Sequence, residues 1–273
     1  MSAPELSGLI GYREEDSRES SSRASRAGAV SASGLTGGVS VISGAAIEPD
    51  RREIARYLGY RGVVPDEKVS LAIERCVEQL KEACRPQEVH AVFRLDEATE
   101  RGEKSPESAG SADLIRFAGV EWHSRNLSRN LRGCAQIILF AATRGPGPDQ
   151  LIRRASVSKV SDMVIYQAAS AAMIEAYCDR LNTELKAAAA QDGLFLRPRY
   201  SPGYGDLALE SQKDLIRLLD APRGIGVTLT ESLLMAPSKS VTAVIGVSEE
   251  EKPCPLSGCE ACNMKNCAFR RNT

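Results

Sequence analysis

The longest periodic segment of the chain, residues 161–190, ends at Asp192-Gly193, a pair that stops a helix. Val164, Ala168, Ala171, Glu175 and Cys178 recur at helical spacing along one face. Four alanines and a serine between Ala168 and Ala172 make this surface thin, so another backbone or a ligand can come close. A carboxylate on such a face needs a partner, because burying it unpaired costs several kcal/mol or forces protonation. The bland reading of Glu175 is one half of an ordinary ion pair with an internal arginine.

Other elements follow from the same patterns. A short helix opens at Asp50 and closes at Gly59, and a longer one starts at Pro65 and ends before Pro86. Val69, Ile73, Cys76, Val77, Leu80 and Cys84 form its apolar stripe, so Cys76 and Cys84 read as packed thiols. Val89, Ala91, Phe93 and Leu95 alternate with His90, Val92 and Arg94, which predicts a strand with His90 on the solvated side. Residues 96–113 read as a loop, 114–122 as one strand and 124–131 as a helix capped by Gly133. Residues 135–143 form an apolar strand turned by 145–148. Beyond the long helix, 197–205 read as a loop and 207–220 as a helix. Residues 225–230 and 241–247 read as strands joined by 231–240. No repeat of 20–50 residues is present, which excludes solenoids and propellers.

Residues 1–47 stand apart. Between Met1 and Asp50 there are 11 serines and 7 glycines but one aromatic, Tyr12, too little apolar surface to offset the entropy of ordering. The pattern divides the chain into a disordered Ser/Gly-rich tail (1–47), a folded domain (48–248) and a Cys-rich tail (249–273). With 35 basic and 36 acidic side chains the net charge is -1, without the basic surplus of a general nucleic-acid binder. The longest apolar runs fall far short of the ~20 residues of a membrane-spanning helix. Eight cysteines and no visible secretory signal point to a reducing, cytoplasmic setting. Two histidines, His90 and His123, exclude a histidine-rich metal site by count.

Rossmann and phosphate-loop signatures are missing, and so is the Gly-x-Ser-x-Gly esterase elbow. An adenosine-containing ligand would need another cradle. The loop Arg197-Pro-Arg-Tyr-Ser-Pro-Gly-Tyr-Gly-Asp206 is the most informative. Pro202 presets one backbone angle and Gly203 frees the next, giving a turn from which Tyr204 projects. Arg199 can grip a carboxylate with two parallel hydrogen bonds, and Tyr204 offers a flat face and a hydroxyl. Downstream come Leu-Thr-Glu-Ser at 229–232, Met-x-Pro from Met235 to Pro237, and Ser240-Val241.

In order and spacing these motifs resemble the activation domain of cobalamin-dependent methionine synthase in a free-standing form, over about residues 48–270 and most specifically 199–246. The resemblance implies an α+β fold, C-shaped around a twisted antiparallel sheet flanked by helices. It implies S-adenosylmethionine as the ligand and cobalamin on a partner, a methionine synthase or another corrinoid protein. It also implies an electron donor such as flavodoxin or ferredoxin. The expected role is reactivation of that methyltransferase by reductive methylation of cob(II)alamin, with this chain as its activation subunit. Glu175, Arg199 and Tyr204 take the positions that contact the methyl donor, Ser201 one that contacts it through the backbone, and Gly203 the turn between them. As a hypothesis, Arg199 holds the ligand carboxylate, Glu175 faces its cationic side and Tyr204, the catalytic candidate, lines the approach to the corrinoid. Glu231 is a weaker candidate. The chain departs from fused methionine synthases in having Gly193 near the place of an additional acid and in ending in cysteines.

Those cysteines, Cys254, Cys259, Cys262 and Cys267, follow the spacing Cys-x4-Cys-x2-Cys-x4-Cys. Four thiolates so close would repel one another unless a cation or cluster neutralised them, so the tail is expected to hold iron–sulfur or zinc. Zinc usually favours two Cys-x2-Cys knuckles, and one is present, which leans toward a cluster able to relay an electron. The competing reading is a metal or iron–sulfur redox or scaffold protein serving another corrinoid methyltransferase.

Overall fold

A computed structural model of the chain describes residues 40–44, 48–60, 62–96 and 113–251. Their centre is a five-stranded, fully antiparallel sheet of β1 (Ser40–Ser43), β2 (Gln87–Arg94), β5 (Gln136–Thr143), β9 (Ser240–Ser248) and β6 (Phe195–Leu196), in the order β1-β2-β5-β9-β6. β5 and β9 are mostly apolar because both their faces are covered. Val89, Ala91, Ile137, Leu139, Ala141 and Val244 point to one side. There they meet the hairpin β3 (Leu114–Phe117) and β4 (Val120–His123), and the short helices α3 (Arg125–Asn130), α6 (Gln212–Leu218) and α7 (Ala221–Ile225). Ile138, Phe140, Ala142, Ala243, Ile245 and Val247 point to the other, against Ile174, Tyr177, Cys178, Leu181 and Leu185 of the long helix α5 (Val160–Gln191). The expected α+β fold with a curled antiparallel sheet flanked by helices is what forms.

α5 serves two cores. Its first half packs with α1 (Arg51–Tyr57), α2 (Glu67–Ala83) and α4 (Gly147–Ser158) through Ile165, Tyr166, Ala168, Ala169, Ala172 and Met173. The alanines permit the close approach that their small side chains predicted. Cys76 and Cys84 lie buried in this layer as free thiols, and burial pushes both up from the ordinary thiol range. Asp50 accepts from the Arg52 N–H and Asp66 from the Val69 N–H, side-chain caps that fix where α1 and α2 begin.

Four expectations need correction. The stretch read as a tail through residue 47 contributes β1, which adds an edge strand to β2. Residues 114–122 are two strands, because Ala118 and Gly119 take φ of 47° and 72° and turn the chain into a tight hairpin. Residues 145–148 lead directly into α4, a helix that the sequence reading left out. His90 does point away from Val89 and Ala91, yet α5 covers that side and His90 is 1% exposed. Its solvated placement fails because the sheet is buried on both faces.

Candidate functional site

β6 and the residues after it run back along β9. Leu196 opposes Val247, Arg197 N–H donates to the Gly246 carbonyl at 2.8 Å, and Tyr200 and Val244 exchange two hydrogen bonds. From Arg197 to Tyr200 the chain takes three steps where β9 takes two, from Gly246 to Val244. One extra residue is therefore inserted at Pro198–Arg199, a bulge that re-aims side chains. Arg197 stays on the side of Cys134 and Leu131, packed so closely over Gly246 that a Cβ there would come within 3.0 Å of all three side chains. Arg199 instead turns to α5.

There it meets two acids. Glu175 and Asp179 are four residues apart on α5 and share one face. Arg199 Nη2 lies 2.5 Å from Asp179 Oδ1 and 3.7 Å from Glu175 Oε2. Arg199 Nη1 is buried and has no hydrogen-bond partner among the described residues. The acids keep about half their side-chain surface in solvent, 41% and 59%, so the group opens outward. Below it lies Cys178, whose thiol burial pushes up to about 12, so it brings no charge to the site.

The loop beyond Arg199 is held at several points. Tyr204 N–H donates to the Ser201 carbonyl at 3.1 Å across Pro202-Gly203, with Gly203 at φ 84°, the conformation of a type II turn. Tyr200 sends its hydroxyl back to the Tyr204 carbonyl at 3.2 Å. A Cβ on Gly205 would collide with that hydroxyl and with the Asn126 amide. Asp206 accepts from Ser124 Oγ at 2.5 Å and from the Arg125 and Asn126 N–H groups, fastening the loop to the start of α3. Tyr204 projects from this fixed turn with 69% of its surface exposed.

Thus Arg199 and Glu175 are brought together, and Ser201, Gly203 and Tyr204 form the turn beside them. Glu231 lies exposed in the turn between β7 (Thr228–Leu229) and β8 (Met235–Ala236). The Met-x-Pro and Ser-Val motifs prove architectural. Ser238 N–H and hydroxyl both donate to Asp149 of α4, and the Ser240 hydroxyl donates to Thr143 Oγ1, seating the start of β9 beside the end of β5. Asp179 escaped the sequence reading, although its i+4 spacing from Glu175 was the signal for it. Cys254, Cys259, Cys262 and Cys267 lie outside the described residues. Among the described residues no group of three or more His, Cys, Asp or Glu is placed to hold a metal ion, and no helix is long and apolar enough to cross a membrane.

Comparison with known proteins places this geometry in context. No curated protein matches the sequence. A solved structure, the MetH reactivation domain bound to AdoHcy, is similar in fold, with a TM-score of 0.52 and 15% identity over 79% of this chain and 80% of that one. The family model for the activation domain of vitamin B12 dependent methionine synthase matches residues 136–272, which contain β5, α5, the Arg199 loop and β9. With half its length matched, including every element that builds the Arg199 site, the chain belongs to the vitamin B12 dependent methionine synthase activation domain family.

Proposed function

We propose that this protein binds S-adenosylmethionine at the Arg199 site and supports the reactivation of a cobalamin-dependent methionine synthase by reductive methylation of cob(II)alamin. The observation that carries the reading is the convergence of one guanidinium and two carboxylates on an outward-facing surface beside a fixed turn. The residues suit the ligand. The buried, unpartnered Nη1 of Arg199 is a donor waiting for a carboxylate oxygen, and Glu175 and Asp179 supply negative charge for an ammonium. When bound, S-adenosylmethionine supplies the methyl group, and a donor such as flavodoxin or ferredoxin the electron, that return cob(II)alamin to methylcobalamin.

Within that chemistry, this chain binds and orients. Arg199 holds the amino-acid end by its carboxylate, Glu175 faces the ammonium, and the Ser201–Tyr204 turn presents backbone along the ligand. Tyr204, which projects into solvent, lines the approach of the partner's corrinoid in this reading. Titration calorimetry tests the reading. Wild type should bind S-adenosylmethionine, and Arg199→Ala and Glu175→Ala should each weaken binding by about tenfold or more, the scale of a lost charge-assisted hydrogen bond. Unchanged affinity in both variants refutes the assignment.

The four tail cysteines are proposed, on spacing alone, to hold an iron–sulfur cluster or zinc. Optical and EPR spectra of anaerobically purified protein should show a cluster if the tail relays the electron. A colourless protein with one tightly bound zinc leaves a structural site.

A further inference from the structure

The site carries one acid more than the amino-acid end of its proposed ligand requires. An α-carboxylate and an α-ammonium are matched by one guanidinium and one carboxylate. Here Arg199 stands with both Glu175 and Asp179, so the group has a net charge of -1. Among the described residues no ion pair to another cation cancels the excess. Cys178 is held neutral by burial, and Arg180 turns away, pairing with Glu184 at 3.4 Å with its guanidinium over the Tyr177 ring.

We infer that Asp179 is a specificity-determining residue that makes the site prefer the sulfonium of S-adenosylmethionine to the thioether of S-adenosylhomocysteine. This rests on the reading of Arg199 and Glu175 as the methyl-donor site. The two ligands share the carboxylate, ammonium, ribose and adenine and differ by a methyl group and one positive charge. Contacts to the shared parts cannot tell them apart by charge, whereas a surplus carboxylate can. In either ligand two methylenes separate the sulfur from the α-carbon, so an acid beside the guanidinium lies within the range of the sulfonium's field. When the methyl leaves, the S–CH3 electron pair stays on sulfur and the ligand's net charge falls from +1 to zero. The attraction of Asp179 for the sulfonium then ends, which favours release of the spent ligand and entry of a fresh one. Because Asp179 is exposed, this field is partly screened and the preference modest.

The experiment compares dissociation constants for S-adenosylmethionine and S-adenosylhomocysteine in wild type, Asp179→Asn and Arg199→Ala, at low and high salt. Asp179→Asn keeps the size of an exposed side chain, and thermal melts check its fold. The expected result is a wild-type preference for the sulfonium that shrinks about two- to fivefold in Asp179→Asn, the scale of a partly exposed ion pair. The wild-type preference should also shrink as salt is raised. An equal loss for both ligands in Asp179→Asn would mean that Asp179 only positions Arg199, and no loss for either that it does nothing; either overturns the inference while the site reading stands, provided Arg199→Ala weakens binding of both ligands about tenfold or more. If wild type binds neither ligand, or Arg199→Ala binds both normally, the site reading fails and takes the inference with it.

Discussion

Asp206 and Ser124 together occupy the first three N–H groups of α3, Asp206 taking those of Arg125 and Asn126 and Ser124 that of Leu127. A helix of six residues has little stability of its own, so this double cap does much to fix its start. Burial alone would raise the Asp206 pKa. The hydrogen bonds from Ser124, Asn126 and Arg125 outweigh it and hold the carboxyl below its ordinary 3.8. A depressed folded pKa gives stability that is complete above the ordinary value and lost as pH falls through the lowered one. In Asp206→Asn the group no longer titrates, so the difference in melting temperature between pH 7 and pH 3 should be smaller than in wild type. An equal difference would show that the cap is not linked to protons. No local pattern points to this pairing, because Asp206 meets Ser124 across 82 residues of chain. Asp179 is legible from the same periodicity that places Glu175, one turn further along the helix.

At the scale of elements, what could be read in advance was whatever one element states by itself. The apolar stripe of α2, the long α5 and the strands β5 and β9 all follow from local periodicity. What surrounds an element was not legible. His90 was assigned to solvent because alternation marks a face without saying what covers it. The layer between the sheet and α5 proves unusually polar for a buried one. Glu88, His90, Arg144, Ser170 and Tyr177 are each at most 2% exposed and carry buried polar atoms without hydrogen-bond partners among the described residues. Arg144, fully buried after β5, touches Met173 Sδ at 3.6 Å, and no acid lies within ion-pair distance of it among the described residues. A buried guanidinium so placed costs more in lost hydration than its contacts return. Arg144→Met should therefore raise stability by about 1 kcal/mol or more, read as a higher urea midpoint at unchanged slope. A lower midpoint would reveal that the guanidinium is compensated.

For the molecule as a whole, the general architecture was legible through linked motifs rather than through any single one. The arginine loop, the Thr-Glu-Ser turn and the Met-x-Pro and Ser-Val pair follow one another between residues 199 and 241, in and around the strands β7, β8 and β9. Their tasks differ in a way that spacing could not reveal, since Ser238 and Ser240 brace β9 against α4 and β5 while Arg199 faces outward. The hairpin at Ala118-Gly119 and the helix α4 were missed because short or weakly patterned segments take their form from what they pack on. The same edge of the sheet holds one further lesson. Side chains along a strand alternate in direction, so an insertion of one residue is a change of address. Were the chain regular from Arg197 onward, with no bulge, Arg199 would oppose Val244 and point with Arg197 to the wrong surface of the molecule. Glu175 and Asp179 would then lose the guanidinium that they share. Whether one guanidinium meets two carboxylates here is decided less by which charges the chain owns than by the bulge between Arg197 and Tyr200.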